Sequence, residues 1–161
     1  MKKGIVIFSL LFSFFCTQSC EEDDVCVGDG TPYLTVVFRD ILNAQNQMDS
    51  LTIYSADNIN FDNPTLLYSK VFSDSLKLPL SGLNSNTTYF TIQRRSNAVA
   101  DTLTVNHQTI SEYVSKACGF RVVYEGLNFQ STENHIQYII PGESNELKNE
   151  SETNLYIVLG N

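Results

Sequence analysis

From Tyr33 onward, apolar and polar residues alternate with a period of two. Leu34, Val36 and Phe38 interleave with Tyr33, Thr35, Val37 and Arg39. Such alternation gives a strand one face for a core and one for solvent. It returns at Leu51 and Ile53, from Leu67 to Phe72, and at Leu76, Leu78 and Leu80. It recurs at Tyr89 to Ile92, Leu103 and Val105, Phe120 to Tyr124, Ile136 to Ile140, and Leu155 to Leu159. Turn-forming residues separate these segments: Asn43 to Asp49, Asp62-Asn63-Pro64, Ser81-Gly82, Asn84 to Asn86 and Pro141-Gly142. No stretch holds a helical period, and Ser144 to Asn154 reads as a polar loop or a single short turn. The prediction is an all-β antiparallel sandwich of about eight strands, immunoglobulin- or fibronectin-III-like, over residues 32–161.

One connection sharpens that expectation. Leu80-Ser81-Gly82-Leu83-Asn84-Ser85-Asn86-Thr87-Thr88-Tyr89 resembles the corner where a fibronectin type III chain crosses between its sheets. There Leu83 would plug the core and the Tyr89 hydroxyl would bond loop backbone.

The first 19 residues follow different rules. Lys2 and Lys3 precede an apolar run from Gly4 to Phe15. A dozen residues is short of the roughly 20 that span a bilayer and fits a secretory leader. Ser19-Cys20 resembles a lipobox, so residues 1–19 are expected to be removed and Cys20 to carry lipid. Residues 20–31, with Glu21, Glu22, Asp23 and Asp24, form an acidic tether. The acid run reads as a solvated spacer or, by resemblance, as the surface-export signal of Bacteroidota lipoproteins. The expected location is the outer membrane, on its periplasmic or cell-surface face, and the first expected partner is the membrane itself.

Composition narrows the partners further. The chain holds 18 acids and 10 bases. Without Lys2 and Lys3 the 18 acids face 8 bases, a net charge of −10 over the 142 residues left when 19 of 161 are removed. Such a domain is expected to repel nucleic acid and anionic lipid. Of the four cysteines, the leader takes Cys16 and acylation takes Cys20. Cys26 and Cys118 then form one disulfide or remain two buried thiols; an oxidising envelope favours the bond.

Catalytic signatures are sparse. His107 and His135 stand outside any zinc-binding spacing, and each reads as a solvent-facing strand or loop residue. No nucleophile elbow or phosphate loop occurs. No metal, cofactor or catalytic residue is therefore expected. Glu133, Glu143, Glu146 and Glu150 are the acids that a glycan- or peptide-cleaving alternative would draw on. The leading expectation is a non-catalytic binding or assembly module with an envelope protein or glycan partner.

Two segments go beyond general β patterning: Cys20 to Asp40, and Asp101 to Tyr124 with Val114-Ser115-Lys116-Ala117-Cys118-Gly119-Phe120 at its centre. Together they resemble a family of Bacteroidota lipoproteins, the domain of unknown function 6452. The resemblance implies that cysteines matching Cys26 and Cys118 recur together, in favour of the disulfide. It implies no activity. In that setting Asp49-Ser50-Leu51, Asp74-Ser75-Leu76 and Asp101-Thr102-Leu103 look like acceptors of envelope O-glycosylation at Ser50, Ser75 and Thr102. Asp followed by Ser or Thr is equally turn chemistry at the start of a strand.

Overall fold

A computed structural model describes residues 26, 30–40, 49–83, 85–94 and 99–160. The leader, Cys20 and the acid run lie outside the described residues. The described residues form nine strands: β1 (Leu34–Asp40), β2 (Asp49–Ala56), β3 (Thr65–Ser73), β4 (Ser75–Leu78), β5 (Thr87–Arg94), β6 (Asp101–Ser115), β7 (Gly119–Ser131), β8 (Ile136–Pro141) and β9 (Leu155–Leu159). No helix occurs among the described residues. One sheet has the order β4-β1-β9-β8 and the other β3-β2-β5-β6-β7.

The alternation is the cause of this layering. Along β5 every second residue is buried, Thr88, Phe90, Ile92 and Arg94, and along β6 the buried row is Asp101, Leu103, Val105 and His107. From the four-stranded sheet, Leu34, Val36, Phe38, Leu76, Leu78, Ile136, Leu155, Ile157 and Leu159 meet Leu51, Ile53, Phe90, Ile92, Leu103, Val105 and Tyr124 of the other in one core. Burying each such side chain is worth about 1.5–3 kcal/mol relative to exposure. The shared core makes the arrangement a two-sheet sandwich.

The pairs β1–β4, β2–β5 and β5–β6 are antiparallel and match the B–E, C–F and F–G pairs of immunoglobulin-like topology, with β3 extending the second sheet beside β2. One pair departs from the expected antiparallel pattern: β1 runs parallel to β9, so the first and last strands lie side by side.

The connection from β4 to β5 does cross between sheets, but its residues take different parts from those the sequence suggested. Leu83 is 62% exposed and plugs nothing. Leu80 is buried instead, and its carbonyl accepts from the Tyr124 hydroxyl of β7 at 3.1 Å. Tyr89 faces outward enough to pack its ring edge against Phe61. Tyr89 sits between the buried Thr88 and Phe90, so the period of two turns it away from the core. The polar stretch after β8 is a loop, as expected, yet Leu147 within it is fully buried and bridges Tyr124 on the β7 edge.

Candidate functional site

The most distinctive element is the hairpin of β6 and β7. β5 starts opposite Asn106, so the part of β6 beyond Asn106 has only β7 as a sheet neighbour. His107 to Ser115 is nine residues, an overhang of about 30 Å at about 3.4 Å per residue. A bulge at Glu125–Gly126 keeps the inward row of β7 in phase, with Gly126 at φ +63°, where a side chain is disfavoured. That row runs Leu127, Tyr124, Val122, Phe120, and its β6 counterpart ends in Tyr113 opposite Phe120. Leu127 and Tyr124 are covered, while Tyr113 and Phe120 are 58% and 69% exposed. Their rings meet edge to face at 5.4 Å. The core-facing row has overrun the sheet that would cover it.

The hairpin tip is bonded to the N-terminal segment. Cys118 lies in the turn, stabilised by its N–H donating to the Ser115 hydroxyl at 3.0 Å, and Gly119 follows at φ +70°. Cys118 forms a disulfide with Cys26, with Cα atoms 4.8 Å apart across 92 residues of chain. Thr31 accepts from the Val122 N–H at 3.2 Å. Arg121 pairs with Glu112 across the strands at 2.7 Å.

A second cluster is buried under the corner. His107 is 3% exposed, which corrects the solvent-facing expectation. It shares a parity with Asp101, Leu103 and Val105, the signal that would have placed it inward. Its Nε2 is 3.0 Å from the Thr88 hydroxyl, which accepts from the Ser81 N–H at 2.8 Å. The Thr88 hydroxyl and Nε2 thus share one hydrogen bond, whose donor is set by the ring's tautomer. Nδ1 is buried without a hydrogen-bond partner. Burial pushes His107 below its ordinary value and Tyr124, whose ring abuts it at 5.1 Å, above its own. A hydroxyl beside an imidazole is the start of a nucleophile–base pair. Here both groups are sealed from solvent and the imidazole lacks an orienting partner, so the pair serves to fasten the β4–β5 connection to β6.

The loop acids are spread out. Glu143 and Glu152 line a concavity with Pro141, Gly142, Thr153 and Tyr156. Tyr156 also lies under the Arg39 guanidinium, 3.7 Å from the ring centroid. Glu150 lines a different concavity with Thr31, Pro32 and Tyr33. There Lys77, bonded to its carboxylate, and the Tyr33 N–H at 3.1 Å hold its pKa below the usual range. Glu146 pairs with Lys148 at 2.7 Å, and that bond raises the lysine's pKa. Glu133 is exposed on the β7–β8 connection. Among the described residues no group of three or more His, Cys, Asp or Glu is arranged to hold a metal ion.

The three acceptor tripeptides differ in setting. Ser50 is half-buried in β2 opposite Phe72, and Thr102 is half-buried in β6 opposite Thr91. Ser75 is exposed at the start of β4, its hydroxyl donating to Asp74 at 3.2 Å. Asp101 is committed elsewhere. Its carboxylate accepts from the Thr132 hydroxyl and from the Asn134, His135 and Ile136 N–H groups at 2.7–3.1 Å, fixing the β7–β8 connection.

The chain belongs to the family of unknown function DUF6452, whose model matches residues 42–159. The match includes Cys118 and the whole β6–β7 hairpin; Cys20, Cys26 and β1 precede it. No curated protein and no solved structure matches the chain.

Proposed function

We propose that this member of a family without an assigned activity is a lipid-anchored, non-catalytic binding or assembly module of the cell envelope, held at the outer membrane through Cys20. The observation that carries the reading is the leader ending in Ser19-Cys20, followed by the acid run. The Cys26–Cys118 bond supports it, since disulfides persist in oxidising compartments. Acylation accounts for membrane attachment without a spanning helix, each buried CH₂ contributing about 0.8 kcal/mol. The acid run serves as tether and as an address to the cell-surface face. Ser75 is the best-exposed of the three candidate glycosylation acceptors.

The test is crosslinking and affinity capture of the full-length protein from its native envelope, followed by mass spectrometry. The reading expects a diacyl or triacyl group on Cys20 and a recurrent envelope protein or glycan partner. An unmodified Cys20 thiol would refute the anchor. A second reading, an enzyme acting on glycans or peptides, is favoured by Glu143 and Glu152 lining one concavity. It requires a hydrolytic activity that Glu143→Gln or Glu152→Gln abolishes while the fold is retained.

A further inference from the structure

We infer that the free edge of β6, from Gln108 to Ser115, pairs with the same edge of a second copy of this chain. The two strands run antiparallel about a two-fold axis at Tyr113. Nothing in this pairing depends on Cys20.

Strand edges that are not meant to pair are guarded by short length, lysine, proline, bulges or a covering segment. The other sheet edges among the described residues are guarded in these ways. β4 has four residues and carries Lys77. β8 has six residues, a register shift and Pro141 at its end. β3 is broken by register shifts and holds Lys70 at φ 52°. The outer edge of β7 is covered. Tyr124 exchanges both backbone bonds with Leu147, the Leu127 N–H donates to the Asn145 carbonyl, and the Val122 N–H donates to the Thr31 hydroxyl. The overhang of β6 has no such guard. Gln108 to Tyr113 pair with Glu125 to Phe120 in unbroken register, without proline or lysine, and Glu112 is their one charge. Arg121 neutralises that charge from within the hairpin.

The backbone directions follow from β7. Tyr124 and Val122 turn their backbone groups away from β6, so they form non-hydrogen-bonded pairs with Thr109 and Ser111. Thr109 and Ser111 therefore point their own N–H and C=O groups outward, and Tyr113, two positions on, does the same. Beyond the His107 N–H, which donates to the Asn86 carbonyl at 2.9 Å, no described residue meets this edge.

The register selects the axis. An axis at Ile110 or Ser111 sets Tyr113 or Ser115 of one copy opposite His107 of the other, where Asn86 already sits. An axis at Glu112 sets two carboxylates face to face, which is destabilising. An axis at Tyr113 sets the two Tyr113 rings opposite each other, with Ser111 of each copy facing Ser115 of the other. The edge-to-face pair of Tyr113 and Phe120 then continues across the axis into one row of four rings. Such a row accounts for rings that are 58% and 69% exposed in the single chain. The charges of the turn lie outside the paired stretch. Lys116 is already engaged. The disulfide ties Glu21 to Asp24 to the turn of each copy, and the two turns lie at opposite ends of the ribbon. They are about 20 Å apart along the strands, beyond the screening length of about 8 Å at physiological salt.

The test places a photoreactive residue on the edge of the full-length protein in its native envelope, as Tyr113→p-benzoylphenylalanine. Illumination should give a species of twice the mass, whose linked peptide comes from Ser111 to Phe120 of a second copy. Phe120→p-benzoylphenylalanine is a second reporter should the first fold poorly. Leu66→p-benzoylphenylalanine, on the guarded edge of β3, should link to no second copy. Ser111→Pro removes an N–H that faces the second copy and no bond of the β6–β7 ladder. Added to the Tyr113 reporter, it should keep the fold and cut the linked fraction at least about tenfold. Ser111→Lys, a guard of the kind found on β3 and β4, takes its place if proline disturbs the hairpin. Absence of the doubled species overturns the inference. Linkage to a different envelope protein, or to a part of the second copy outside the hairpin, overturns it too. So does a linked fraction that both Ser111 variants leave unchanged.

Discussion

Replacing Asp101 with alanine removes one carboxylate and leaves four donors facing it. Asp101 is 1% exposed. One of its oxygens accepts from the Thr132 hydroxyl at 2.8 Å and the Asn134 N–H at 2.7 Å; the other accepts from the His135 N–H at 2.7 Å and the Ile136 N–H at 3.1 Å. Thr132 and Asn134 are exposed residues and can turn to water. Ile136 is buried and His135 half-buried, so their N–H groups lose their acceptor with little replacement. A stranded buried donor costs about 1–3 kcal/mol, which puts the alanine variant at about 2–6 kcal/mol. That is a large share of the roughly 5–15 kcal/mol that holds a typical domain together. Asp101→Asn separates the cause from mere packing. It keeps shape and volume but must aim an NH₂ group at one of the two donor pairs, so it should be damaged almost as badly. Equilibrium urea unfolding at neutral pH with the disulfide intact measures both variants. At an m value of about 1.5 kcal/mol/M, a 4 kcal/mol loss lowers the midpoint by about 2–3 M with m unchanged. Asp101→Asn within about 0.5 kcal/mol of the wild type, as for an ordinary surface substitution, would refute the reasoning.

The paired change Cys26→Ser with Cys118→Ser has a ceiling of about 4–5 kcal/mol for a 92-residue separation in the chain-entropy model. Cys26 precedes β1, so the native state regains freedom in the released tail and denaturation should show a loss well below that ceiling. Gly142→Ala would place a Cβ 2.2 Å from the Thr153 carbonyl oxygen. Backbone has to move, with a loss of about 1–3 kcal/mol or more, and an unchanged melting temperature would contradict this. His107 is held below its ordinary 6.5 by burial, so its folded pKa lies under its unfolded one. Its stabilising effect is complete above pH 6.5 and is lost as the pH falls from there toward the folded value. His107→Gln should therefore flatten the stability–pH curve just below 6.5 relative to the wild type; parallel curves would count against a neutral buried imidazole. Tyr124→Phe removes the bond to the Leu80 carbonyl and should cost about 0.5–1.5 kcal/mol by urea unfolding.

The chain's own pattern determines which residues of β1, β5 and the first half of β6 face inward, because a strand has a period of two and burial rewards whichever face is apolar. It also carries the apolar run from Gly4 to Phe15, Cys20 and the acid run, the local pattern on which the proposed anchor rests. It left Cys26 and Cys118 as one bond or two thiols, because closing the pair depends on bringing two Cα atoms within a few ångströms across 92 residues. Parity alone would have turned His107 and Asp101 inward; their polarity concealed it. What parity cannot report is the neighbour. The parallel docking of β1 on β9, the use of Leu80 and Tyr124 at the corner, and the burial of Leu147 in a polar loop all depend on which surfaces meet. The hairpin tip shows the same division. Tyr113 and Phe120 belong to the core-facing row, and sequence periodicity treats them as core. They are exposed because the hairpin outruns the opposite sheet, and relative strand length is decided only in the assembled sandwich.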